Sequence, residues 1–131
     1  MSERDKKTSA VRFLPYVKDY IRTALKSNDP TSYTQLARVL ANLTLDEQCR
    51  YQILNLKGLE VFVKLLEVGH ETQNPLLQRC CAKGLTNLSL TSRDTKAKAL
   101  TLLNNVLTLL YKGVLDSVAA GYLETLLKTK N

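Results

Sequence analysis

The chain matches itself. Leu36-Ala37-Arg38-Val39-Leu40-Ala41-Asn42-Leu43-Thr44-Leu45 lines up with Cys81-Ala82-Lys83-Gly84-Leu85-Thr86-Asn87-Leu88-Ser89-Leu90 at a constant offset of 45 residues. Within the match Ala, Leu, Asn, Leu and the final Leu are identical, while Arg38/Lys83 and Thr44/Ser89 are chemically equivalent. Self-similarity at such a period marks a stacked repeat, in which one unit cannot bury its own apolar face and needs its neighbour. The spacing of apolar residues says what is stacked. Leu36, Val39, Leu40 and Leu43 fall at i, i+3, i+4 and i+7, the core-facing stripe of an α-helix, and small Ala37 and Ala41 permit close helix approach. No window alternates with the period of two that a strand needs, so the sequence predicts an all-α chain.

Other elements follow from punctuation. Residues 1–9 read as a polar, flexible N-terminal tail, and residues 10–131 as one helical domain with units at about 10–44, 45–90 and 91–131. A helix is expected from about Ala10 to Ser27, carrying Val11, Leu14, Val17, Ile21 and Leu25, with Pro15 tolerated only in its first turn. Pro30 ends it, because the residue before a proline is pushed out of helical geometry. Thr31 or Ser32 caps the next helix. Asp46 caps a helix over Gln48–Leu56, and Gly58 turns the chain before an apolar helix with Leu59, Phe62, Val63, Leu65 and Leu66. Val68–Pro75 reads as the longest loop, followed by a helix over Leu76–Leu88. Ser92 and Asp94 are cap candidates for a helix starting near Thr95, whose apolar series runs from Ala99 to Leu110. Gly113 breaks the chain, and Val114–Lys128 forms the last helix with Val118, Tyr122, Leu126 and Leu127 inward.

With these elements in place a resemblance emerges. Lys57-Gly58-Leu59-Glu60-Val61-Phe62-Val63-Lys64-Leu65-Leu66 resembles the second helix of an armadillo repeat, and Leu40-Ala41-Asn42-Leu43-Thr44 and Leu85-Thr86-Asn87-Leu88-Ser89 resemble the end of its third helix. One full repeat runs from about Leu45 to Ser89. The resemblance implies a right-handed armadillo-type helical solenoid of about three repeats with degenerate terminal ones. The last unit departs from the pattern, with Asn104 or Asn105 where the family places a turn glycine. In armadillo proteins such as importin-α and β-catenin the third helices line a concave groove, and their asparagines hold the backbone of an extended peptide. Carried to this chain, the resemblance assigns a partner-binding groove to Asn42 and Asn87; the alternative is that an asparagine at this position hydrogen-bonds a neighbouring turn and is a structural tie. Importin-like repeats carry a tryptophan four residues earlier, where Arg38 and Lys83 stand here. Arg79, Lys83 and Asn87 make one i, i+4, i+8 stripe, and Thr34, Arg38 and Asn42 its counterpart. Cations in place of the tryptophan point to an acidic segment rather than a basic one.

Charge agrees with that choice of partner. Nineteen Lys and Arg against twelve Asp and Glu give a formal net charge of +7, which favours acidic partners. Nucleic acid is the alternative acidic partner, but the tyrosines do not interleave with the basic residues as stacking platforms require. A third reading is a structural subunit that stacks through its apolar end in a larger assembly. An enzyme is not expected: the single histidine, His70, sits in what reads as a solvated loop, and no catalytic, metal or cofactor-binding constellation stands out. The cysteines, Cys49, Cys80 and Cys81, have no C-x-x-C spacing and read as free thiols of a reducing compartment, cytoplasmic or nuclear. The charged N-terminus has no apolar segment of a signal peptide, and no run is long enough to span a membrane.

Overall fold

The computed structural model describes residues 3–111 and 115–128, with side chains described for 15–106 and 115–128. Within them the chain is all-α: α1 (Glu3–Ser27), α2 (Pro30–Leu43), α3 (Glu47–Asn55), α4 (Gly58–Glu71), α5 (Pro75–Ser89), α6 (Arg93–Tyr111) and α7 (Ser117–Lys128). No strand occurs among the described residues.

The two matched stretches lie on α2 and α5, and the correspondence extends beyond them. Each helix opens with a capping side chain followed by proline, Asp29-Pro30 and Asn74-Pro75, again 45 residues apart. Asp29 Oδ1 accepts from the Thr31 amide at 3.2 Å, and Asn74 Oδ1 accepts from the Leu77 amide at 3.1 Å. The cap of α2 is therefore Asp29 and not Thr31 or Ser32. Pro30 explains the shift: its ring fits the first helical position and needs no N–H there, while it holds Asp29 extended, as an N-cap must be. At the other ends, Thr44 Oγ1 donates to the Ala41 carbonyl and Ser89 Oγ to the Thr86 carbonyl, the same bond in both copies.

Two side-chain ties fix how these helices sit together. Asn74 Nδ2 at the start of α5 donates to Thr34 Oγ1 near the start of α2, at 3.0 Å. Asn87 Nδ2 near the end of α5 donates to Thr44 Oγ1 just past the end of α2, also at 3.0 Å. Start meets start and end meets end, so α2 and α5 run parallel, side by side. On another side of α5, α7 is held in the same direction: Arg79 reaches Asp116, and the Thr86 hydroxyl faces the Tyr122 carbonyl. α4 packs across both α5 and α6, and α1 packs on α2 and α3. The core between them holds Leu36, Leu40, Ile53, Phe62, Leu65, Leu66, Leu77, Leu85, Leu88 and Leu103, all fully buried. Each such side chain contributes about 1.5–3 kcal/mol by leaving water.

Several local expectations are corrected. α1 begins at Glu3, not near Ala10, so Pro15 lies inside the helix rather than in its first turn. Gly58 has an ordinary φ; the left-handed residue at that turn is Lys57, with φ 63°. Gly58 is required for another reason: a Cβ there would overlap Ile53 of α3. The Val68–Pro75 loop is mostly helix, because α4 runs on to Glu71 and leaves only Thr72, Gln73 and Asn74 as the link. Asn74 makes so short a link workable, since it caps α5 while its own amide donates to the Gly69 carbonyl at 2.8 Å. α6 continues through Asn104 and Asn105, both exposed on its surface, with no turn there. The last helix begins at Ser117, and Val118 and Leu127 face outward, 47% and 38% exposed. Val39 also leaves the expected stripe and is largely exposed. Gly113, Val114 and the side chains of Leu107–Leu110 lie outside the described residues.

Candidate functional site

The side chains assigned to the groove sit on α2 and α5, and the structure separates them into two kinds. Asn87 and Arg79 are engaged within the fold. Asn87 is the donor to Thr44, whose side chain is fully buried, so its amide serves as a tie between helices. Arg79 makes a two-pronged ion pair with Asp116, Nε to Oδ2 at 2.8 Å and Nη2 to Oδ1 at 2.9 Å. Thr34 is likewise spent on Asn74 and on the Pro30 carbonyl.

Arg38, Asn42 and Lys83 are the other kind. Arg38 and Asn42 are exposed on α2, and Lys83 is half-buried on α5; none has an ion-pair or hydrogen-bond partner among the described residues. Arg38 and Lys83 occupy matched positions in the two copies, on parallel neighbouring helices, and Cys80, half-buried, lies on α5 three residues before Lys83. Burial pushes the Cys80 thiol up from its ordinary value, and the positive charges of Arg38 and Lys83 oppose that shift without overcoming it. Neither α2 nor α5 carries a single Asp or Glu. Toward the helix starts the same face opens into a cleft of about 310 Å³ lined by Pro30, Thr31, Thr34, Gln35, Arg38, Asn74 and Leu76.

The thiols here are poor nucleophiles. Cys49 is pushed up to about 12, chiefly by burial and then by its bond to Asp46, and burial holds Cys81 well above the ordinary value. All three cysteines are free. His70 is on the last turn of α4 rather than in a solvated loop, half-buried, with Nε2 covered and unpartnered among the described residues.

Asp116 escaped the sequence reading. It caps α7, accepting from the Val118 and Ala119 amides at 3.0 and 3.1 Å, and its own amide donates to Gln78 Oε1 at 2.7 Å. Gln78 is itself buried and donates to the Gly69 carbonyl at 2.9 Å, so one side chain links α4, α5 and the start of α7. The signal for Asp116 was available: an acid ahead of Ser117 and an apolar series is an N-cap pattern. The Asn87–Thr44 tie was harder to find, because it joins residues 43 apart whereas the self-match pairs residues 45 apart.

The chain matches no family model, no curated protein and no solved structure. No described helix is long and apolar enough to cross a membrane.

Proposed function

We propose that this chain is a non-enzymatic protein-interaction module, an adaptor or scaffold of armadillo type, that binds an acidic, extended segment of a partner protein across α2 and α5. The observation that carries the reading is electrostatic. Two parallel, adjacent helices, neither of which contains an Asp or Glu, present Arg38 and Lys83 without a partnering acid among the described residues. Unpaired charges of one sign on neighbouring elements attract a complementary ligand and speed its approach. Asn42 adds an amide with both a donor and an acceptor to offer a peptide backbone. Asn87 and Arg79, expected in the same groove, are left out of the binding set because the fold already uses them.

Quantitative capture of partners from lysate tests the reading, with the wild type compared against an Arg38→Glu/Lys83→Glu variant at low and moderate salt. Partners with acidic segments should be lost in the double variant and should weaken with salt in the wild type, while thermal stability stays nearly constant. An unchanged set of captured proteins at equal stability overturns it. The reading as a stacking subunit is favoured by one feature, the exposed Val118 and Leu127 on α7. It predicts partner loss on Val118→Asp instead.

A further inference from the structure

More than half of the chain's excess positive charge lies on α1. Its sequence holds seven Lys and Arg against three Asp and Glu, and so supplies +4 of the formal net charge of +7. The apolar side of α1 is used up in the fold: Val17, Ile21 and Ala24 are buried, and the helix packs on α2 and α3. Its outer side presents Lys18, Arg22 and Lys26, all exposed, at i, i+4 and i+8. None of the three has an ion-pair or hydrogen-bond partner among the described residues. At 1.5 Å per residue this ladder is about 12 Å long, with a cation about every 6 Å. Tyr16 and Tyr20 are on the same helix, 72% and 39% exposed. Helical rotation puts the tyrosines on one flank of the exposed arc and the cations on the other, with Thr23 and one acid, Asp19, between them. The sequence reading set the tyrosines apart from the basic residues, but on α1 both reach solvent from one helix.

We infer that the outer face of α1 is a second binding surface, separate from the groove residues of α2 and α5, and that its occupant is single-stranded nucleic acid. Phosphates run along Lys18, Arg22 and Lys26, and the bases turn across the helix toward Tyr16 and Tyr20. A stacked strand advances about 3.4 Å per nucleotide, so a ladder of about 12 Å faces three or four phosphates. Every base has a π-face, so exposed tyrosines hold bases of any sequence. Three other occupants fit less of what α1 offers. An acidic peptide uses the cations and leaves both tyrosines without a role. A duplex keeps its bases stacked inside and gives the tyrosines nothing to hold. An anionic membrane takes up helices that sink an apolar face into the headgroup boundary, and that face of α1 is already buried against the core.

The test is fluorescence anisotropy of a labelled single-stranded RNA of mixed sequence, about 20 nucleotides long, titrated with the folded full chain at about 50 and 200 mM salt. The wild type is compared with Lys18→Glu/Arg22→Glu/Lys26→Glu and with Tyr16→Ala/Tyr20→Ala, and circular-dichroism melts show that each folds. If the charge reversal unfolds the chain, Lys18→Gln/Arg22→Gln/Lys26→Gln replaces it. The charge variant should lose about tenfold or more in affinity at the lower salt. It should also lose about two units of the log–log salt slope, from about 0.7 for each of three phosphates. The tyrosine variant should lose about five- to tenfold at both salts with its slope unchanged. Arg38→Glu/Lys83→Glu should bind the RNA as the wild type does, so this inference and the groove reading fail separately. No binding by the wild type, binding that survives the charge variant, or binding lost in Arg38→Glu/Lys83→Glu overturns the inference. So does unchanged affinity in the tyrosine variant, or competition by polyglutamate, duplex RNA or phosphatidylserine vesicles as effective as that of unlabelled single strand.

Discussion

At the scale of single residues, glycines and asparagines that look alike in the sequence do different work. A Cβ on Gly84 would overlap the ring of Phe62, so that glycine lets α5 lie against α4. Its counterpart in the first copy is Val39, which is exposed. Gly121, inside α7, has nothing within 4 Å of where its Cβ would be. Gly84→Ala is therefore expected to destabilise by about 1–3 kcal/mol, the usual cost of overfilling a packed contact. Gly121→Ala should stabilise by about 0.5–1 kcal/mol, because it removes backbone freedom from the unfolded chain at no steric cost. Urea titrations of the two variants check the opposite signs. The asparagines divide in the same way. Asn87→Ala should cost about 0.5–1.5 kcal/mol through loss of its bond to buried Thr44, whereas Asn42→Ala at an exposed site should stay within about 0.5 kcal/mol. Equal effects in thermal denaturation would mean that the tie carries no stability. The sequence made these residues visible as a matched pair. It could not show that one faces a neighbouring unit and the other water, because that depends on which helix lies alongside.

Among elements, α7 is the one whose attachment depends most on a single charged group. Asp116 serves Arg79 and two amides of α7's first turn, while its amide is held by Gln78. The Arg79 hydrogen bond, helped by the two amides and by the charge of Arg79, lowers the Asp116 carboxyl from 3.8 to about 2. A carboxyl lowered in the folded state stabilises the fold above its unfolded value, and that contribution disappears as pH falls through the folded one. The docking of α7 should thus weaken between about pH 4 and pH 2. In Asp116→Asn this part of the acid transition should be absent, with a lower melting temperature at neutral pH. Melts recorded across that pH range measure both. The helices themselves were legible to within a few residues where an evident cap stands, as at Asp46, or a proline breaks the chain, as at Pro30, even though the cap there is Asp29. They were misread where one residue carries two functions: Asn74 caps α5 while its amide closes the end of α4, and so replaces a loop that composition alone suggests.

For the molecule as a whole, α5 is the member against which α2, α4 and α7 all pack. Leu85 sits in that junction, fully buried, and Leu85→Ala is expected to cost about 2–5 kcal/mol with the transition remaining a single cooperative step. Amide hydrogen exchange should be slowest in α5 and faster in α7 and α1, which have fewer helices around them; slowest exchange in α1 would contradict this packing order. That the described residues are all-α was legible from periodicity, since burying one face of a helix leaves no choice about spacing. How the units join was not, because the joining bonds run between unequal positions. Those bonds also leave a vacancy at each side of the pair: Asn42 has no hydroxyl to reach among the described residues, and Ser89 holds the place of Thr44 with no asparagine donating to it. The interlock is accordingly modular, like a tile with a tab on one edge and a slot on the other. A second copy of residues 46–90 spliced in after Leu90 would bring its own asparagine level with Ser89, keep Phe62 and Gly84 matched within the copy, and hand α7 a fresh Arg79 to grip. A chain lengthened in this way is then expected to fold, because the added tile meets an edge already shaped for it.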